Sequence, residues 1–208
     1  MSRRYGEIAF TPAVSDVQAY YGSQEFFVRQ RSRRADAPAP DPLTDREREL
    51  LAERDGFYLA TLSESGWPYV QFRGGPDGFL LAVDDSTVGW ADFRGTPQYI
   101  SPGNLAGNDR VSLIAVDYVG RRRLKLFGRA EVTTLEQDPE LVRSFSDPDY
   151  DAVVERAVLV RVEAFDWNCP QHIPSRFSAG EIAPVVTKLQ DTIAALREEN
   201  AELRRRRG

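Results

Sequence analysis

Between Phe57 and Val162 the chain repeatedly alternates apolar and polar residues in runs of five to ten, each closed by turn-forming residues. Side chains of a strand point to opposite faces in turn, so this period of two marks half-buried strands. Phe57–Leu62 reads as one strand and Trp67–Arg73 as the next, with Ser63-Glu64-Ser65-Gly66 turning between them. Phe79–Val83 and Thr87–Ala91 flank Asp84-Asp85-Ser86, while Val111–Val116 and Arg123–Val132 bracket a turn at Gly120. Ala157–Val162 is a late strand. Many short strands with turn signals between them predict a mainly β chain, a closed or nearly closed antiparallel barrel. Helical inserts are expected near residues 97–107 and 136–145.

The flanks differ from this body, and three regions follow. Residues 1–42 form an N-terminal helical extension that ends in a Pro-rich linker, Ala35-Asp36-Ala37-Pro38-Ala39-Pro40-Asp41-Pro42. A helix enters at Thr11-Pro12 and runs to Gly22, with Pro in its first turn. Residues 43–177 are the body, which opens on Thr44 and Glu47, the spacing of a capping box. Residues 178–208 form one long helix. There Ile182, Val186, Leu189, Ile193, Leu196, Asn200 and Leu203 are spaced alternately by four and three. With Val186, Ile193 and Asn200 at position a and the others at d, this predicts a parallel two-stranded coiled coil. The competing reading lays the same stripe on the chain's own barrel.

Bulk properties narrow the function. The net charge is −5 despite Arg204–Arg207 at the end. An acidic body disfavours nucleic acid, which needs a coherent basic face. No apolar run approaches the roughly 18 residues of a membrane span. The first residues lack the apolar stretch of a secretory signal, and the one cysteine, Cys169, has no internal partner. Together these predict a cytoplasmic protein. Cys169 and His172 have the spacing of half a zinc site, but four ligands are needed and the chain has one residue of each type, so no metal is expected.

Two turns suit an anion. Asp92-Phe93-Arg94-Gly95-Thr96-Pro97-Gln98-Tyr99-Ile100-Ser101 runs from a strand into a helix, where unpaired N–H groups and the helix dipole favour phosphate. Arg94 can add a bidentate contact. Arg73-Gly74-Gly75 would let a flat ligand approach the backbone, although from their chemistry alone Gly74-Gly75-Pro76-Asp77-Gly78 read first as a plain hairpin turn.

In order and together, several pieces resemble the pyridoxamine 5′-phosphate oxidase-like, FMN-binding split-barrel family. They are Phe57-Tyr58-Leu59-Ala60-Thr61, Gly66-Trp67-Pro68-Tyr69-Val70, Arg73-Gly74-Gly75, Asp92-Phe93-Arg94-Gly95, Asn108-Asp109-Arg110-Val111 and Gly128-Arg129-Ala130. The resemblance implies a six-stranded split barrel, a homodimer, and FMN in grooves between the subunits. It places phosphate and ribityl contacts near Arg73, Gly74, Arg94, Gly95, Tyr99 and Ser101, and a flavin-ring contact at Arg123. It also implies that Trp167 and Arg176 reach the partner's flavin. The segment Gln171–Ser175 departs from the substrate-binding Arg-Leu-His of the founding oxidase, and Gly74 and Gly75 replace its lysine-bearing strand. An FMN-dependent oxidoreductase acting on a small molecule other than pyridoxamine phosphate is therefore expected, with NAD(P)H as a candidate donor. The catalytic residues are not assigned. A non-catalytic flavin-binding or sensing protein remains open, as do the family's F420 and haem binders.

Overall fold

A computed structural model describes residues 3–33 and 40–207. The elements run α1 (Arg3–Ala9), α2 (Pro12–Tyr20), α3 (Gln24–Ser32), α4 (Asp45–Ala52), β1 (Gly56–Leu62), β2 (Pro68–Gly74), β3 (Leu81–Ala82) and β4 (Thr87–Phe93). Next come α5 (Ile100–Gly107), β5 (Arg110–Asp117), β6 (Arg122–Thr134), α6 (Pro139–Ser144), β7 (Val154–Trp167) and α7 (Ala179–Arg207). The chain divides into two compact units, residues 1–117 with 122–170, and residues 118–121 with 171–208.

The first unit is built on one antiparallel sheet of seven strands, in the order β2-β1-β5-β6-β7-β4-β3. This is the expected mainly β split-barrel fold with flanking helices, with one strand more than the family implied. The sheet does not close, because β2 and β3 end it on opposite sides. It curls nonetheless: Phe57 on β1 meets Trp90 on β4 edge-on at 4.9 Å between ring centroids. The period of two explains the core. Phe57 and Leu59, Val111, Leu113 and Ala115, and Leu124 and Leu126 all point inward and are buried. Trp90, Val88 and Val160 meet them from the other half of the sheet.

The helices follow local chemistry. Thr44 and Glu47 form the capping box of α4, the Thr44 N–H donating to Glu47 Oε2 at 3.0 Å. Leu50 and Leu51 then seat α4 in the core. Thr11 caps α2 through Val14 N–H. The inserts expected near 97–107 and 136–145 are α5 and α6. The expected strand Phe79–Val83 is shorter, with only Leu81 and Ala82 in the ladder. Beside it, Asp84 accepts hydrogen bonds from the Ser86 N–H and hydroxyl, which hold its carboxyl below the usual range. The helices α1 and α3 had no counterpart in the sequence reading. Tyr5 of α1 lies buried against Phe127, 5.0 Å between ring centroids. Of the proline-rich linker, residues 35–39 lie outside the described residues. Its end is fixed by Asp41, which accepts the Phe165 N–H, and by the Leu43 N–H, which donates to Asp85.

One glycine is structurally compulsory. The β6–β7 ladder shifts register between Phe127 and Gly128. A Cβ at Gly128 would fall on Val160 Cγ1 and 2.7 Å from the Arg161 carbonyl oxygen. Backbone cannot swing aside as a side chain can, so Gly128→Ala should lower stability by about 1–3 kcal/mol. Chemical unfolding checks this, and a loss below about 0.5 kcal/mol would show that the bulge absorbs the methyl group.

Candidate functional site

The loop between β4 and α5 faces a cavity of about 230 Å³. Its walls come from β2 (Tyr69, Gln71, Arg73), the end of β4 (Asp92, Phe93), the loop (Gly95, Thr96, Gln98), the start of α5 (Tyr99, Ile100, Pro102) and β7 (Glu155, Arg156). Asp92 sits at its centre of charge. Only 3% exposed, it accepts Arg73 Nη1 at 2.6 Å and Arg156 Nε and Nη2 at 2.9 and 2.8 Å. The Asp92–Arg156 pair follows from strand register, since the two residues are direct partners between β4 and β7. The ladder shifts at the next step, from Asp92↔Arg156 to Phe93↔Val154. Glu155 is thereby left out of the pairing, in the manner of a β-bulge. Its carboxylate receives Arg94 Nε at 2.9 Å and Arg156 Nη2 at 3.1 Å.

The start of α5 adds a second cationic element. Tyr99 is its N-cap in the left-handed region, φ 48° and ψ 29°, and no side chain caps the helix. A left-handed backbone costs a tyrosine about 1–2 kcal/mol. The surroundings hold it there: the Arg156 guanidinium lies over its ring at 5.2 Å. Asn104 Nδ2 donates to Thr61 Oγ1 at 3.0 Å and ties α5 to β1. An uncapped helix start leaves N–H groups and a positive dipole end available to an anion.

A more apolar groove of about 620 Å³ adjoins the cavity. Tyr99, Pro102 and Arg156 are common to both, and Leu105, Ala106, Ala130 and Val132 supply the apolar wall. The protein therefore presents a pocket lined by two arginines and two carboxylates next to a more apolar groove.

A family model described as pyridoxamine 5′-phosphate oxidase matches residues 43–166. The chain belongs to the pyridoxamine 5′-phosphate oxidase family. No curated protein matches it. Among solved structures, a Clostridium acetobutylicum protein related to general stress protein 26 of B. subtilis, of the pyridoxinephosphate oxidase family, is 18% identical. The match covers 64% of this chain and 92% of that one, with a TM-score of 0.43. An FMN-binding protein from Syntrophomonas wolfei is 13% identical, over 59% of this chain and 88% of its own, with a TM-score of 0.43. An F420 reductase is 21% identical, over 57% and 94%, with a TM-score of 0.40.

Of the residues that family resemblance nominated, the cavity gathers Arg73, Gly95 and Tyr99. Ser101 stands just behind it, fully buried, with its hydroxyl donating to Gln71 at 3.2 Å. Gly74 serves the fold: Phe72 lies across Gly74 and its cross-strand partner Gly56, and the ring of Phe79 occupies the space beside Gly75. These glycines leave room for the chain's own rings. Arg94 is 65% exposed, paired with Glu155, and is not a lining residue. Arg123 donates Nη2 to the Cys169 carbonyl at 2.9 Å. Trp167 gives its indole N–H to Glu47 and stacks under Arg46 at 4.0 Å. Arg176, in the second unit, lies over Tyr118 at 4.8 Å.

Sequence reasoning missed Asp92 and Arg156 as site residues. The available signal was Glu155-Arg156 just ahead of the apolar run Ala157–Val162. Two adjacent charges entering a buried strand require one of them to point toward the interior. Among the described residues no group of three or more His, Cys, Asp and Glu side chains is arranged to hold a metal ion, and no helix is long and apolar enough to cross a membrane.

Proposed function

We propose that this protein is an FMN-dependent oxidoreductase that acts as a homodimer on a small organic substrate other than pyridoxamine phosphate. The observation that carries the reading concerns unsatisfied donors. Among the described residues three buried side-chain donors lack a partner: Arg73 Nε, Arg123 Nε and the core Trp90 Nε1. Two of the three belong to arginines that the family resemblance nominates for the cofactor. Buried donors are rarely left unpaired, so each calls for an explanation such as an absent ligand. The residues fit FMN in other respects. Arg73, Arg156 and the uncapped start of α5 suit a phosphate, and the adjoining apolar groove suits a flat ring system.

When bound, FMN supplies the redox chemistry, accepting or giving hydride and electrons. The chain's part is to bind and orient. Arg73 and Arg156, held in place by Asp92, would offer donors to the cofactor's anionic end. Tyr99 and Pro102, which line both the pocket and the groove, would separate the groups that hold its two ends. The homodimer is supported by the outward face of β1 and β2. There Tyr58 opposes Phe72, Ala60 opposes Val70, and Leu62 opposes Pro68, with Trp67 beside them. Val70 is 59% exposed and Trp67 76%, and contiguous apolar patches of this kind mark interfaces.

The test is reconstitution of purified protein with FMN, riboflavin, F420 and haem, followed by absorption and fluorescence. FMN should bind saturably and more tightly than riboflavin, and NAD(P)H should then be consumed with a panel of quinones and nitro compounds. Binding of F420 or haem without FMN overturns the cofactor. FMN binding without turnover leaves a flavin-binding or sensing protein in place of an enzyme.

A further inference from the structure

Helix α7 is entered through a reciprocal cap. The Glu181 N–H donates to Ser178 Oγ at 3.2 Å, and the Ser178 N–H donates to Glu181 Oε2 at 2.7 Å. The helix then runs 29 residues, with Pro184 near its start. Its apolar stripe is bare: Ile182, Val186, Leu189, Ile193, Leu196 and Leu203 are 41–57% exposed. Twenty-nine residues exceed the length at which isolated helices become tolerable in water, but a stripe of six large apolar side chains in water is a standing cost.

We propose that α7 pairs in parallel and in register with α7 of a second copy of this chain, as a zipper separate from the flavin site. The stripe has the occupant written into it. Branched Val186 and Ile193 at a, with leucine at three of four d positions, favour two parallel strands. Asn200 at a is decisive for direction. In a parallel pair it meets its own equivalent and the two amides can bond to each other. In an antiparallel pair each Asn200 would be buried against an apolar residue. Charge agrees: Glu199 at g faces Arg204 at e of the second copy, and no g–e′ pair is repulsive, the others being Thr192–Arg197 and Val185–Gln190. Parallel pairing does bring the two Arg204–Arg207 runs together. Arg204, Arg205 and Arg206 are exposed at the helix end, where salt screens them and the helix dipole favours positive charge.

The experiment uses the full chain in a Cys169→Ser background, with one cysteine introduced at a time. Leu189→Cys and Leu203→Cys occupy d positions two heptads apart, and Glu198→Cys lies on the opposite face. Under mild oxidation both d variants should form disulfide-linked dimers, at least several-fold faster than Glu198→Cys. Adding Asn200→Val to Leu203→Cys should slow in-register linkage as alternative registers open. Linkage at only one d position means an antiparallel pair, and equal linkage at position 198 means random encounter; either overturns the proposal. No linkage at positions 189 and 203 overturns it as well. Cofactor binding by these variants reports separately on the barrel, so failure of the zipper is distinguishable from failure of the flavin reading.

Discussion

Asp92→Ala should lower the stability of the fold by about 3–5 kcal/mol, because it removes the buried carboxylate that two guanidiniums share and leaves only Glu155, beside Arg156, to balance them. Arg73 and Arg156 are each only 17% exposed, so water cannot readily replace the lost carboxylate. For a chain of this size the melting temperature should fall by roughly 6–20 °C. Asp92→Asn, which keeps the shape and removes the charge, should lie between wild type and Asp92→Ala. Arg94→Ala is the contrast. Its partner Glu155 is half-buried, but Arg94 itself is 65% exposed, and exposed pairs contribute about 0–1 kcal/mol. Thermal and urea unfolding of the three variants checks this. A shift for Asp92→Ala no larger than that for Arg94→Ala would mean that the buried pairs do not hold the sheet together.

Arg156→Ala should weaken FMN by about 1.5–3 kcal/mol, a loss of roughly 10- to 150-fold, while changing riboflavin affinity little. The distinction is chemical: riboflavin has the ring and the ribityl chain without the phosphate. Arg73→Lys should act in the same direction. It keeps the charge but removes the fork and the Nε donor that has no partner within the protein. Arg94→Ala, outside the cavity lining, should leave both affinities within about threefold. Fluorescence quenching titrations with each flavin separate the cases. Equal losses for FMN and riboflavin would place Arg156 against the ring or reveal general loss of structure, and the unfolding data distinguish those two.

The strands were legible because burial on one face leaves a period of two, and because Ser63–Gly66 and Gly120 mark turns. Thr44 and Glu47 gave away α4 for a similar reason: a cap is local chemistry. The helices α1 and α3 were not legible, since their support is distant. Tyr5 rests on Phe127, and Phe27 packs edge-on against Phe10. The site divides in the same way. Arg73 closes a recognisable strand, and Gly95 and Tyr99 lie in a recognisable strand-to-helix loop. Asp92 and Arg156 stand 64 positions apart and become neighbours only through the β4–β7 register. Arg94 illustrates what sequence cannot show of a side chain's partners. A charged residue in the right loop looked like an anion ligand, yet the bulge beside it turns a carboxylate toward it.

The Asp92 cluster also says something about how the molecule opens. β2 carries Arg73, β4 carries Asp92 and β7 carries Arg156, so three side chains link the edge strand β2 to β4 and β7, strands with which β2 has no backbone pairing. A ladder unzips rung by rung, each step exposing a peptide group. A clasp of charges can part in one motion and leave every rung intact. The cavity lies at that clasp, so a guest bearing negative charge would compete with Asp92 for the same two arginines.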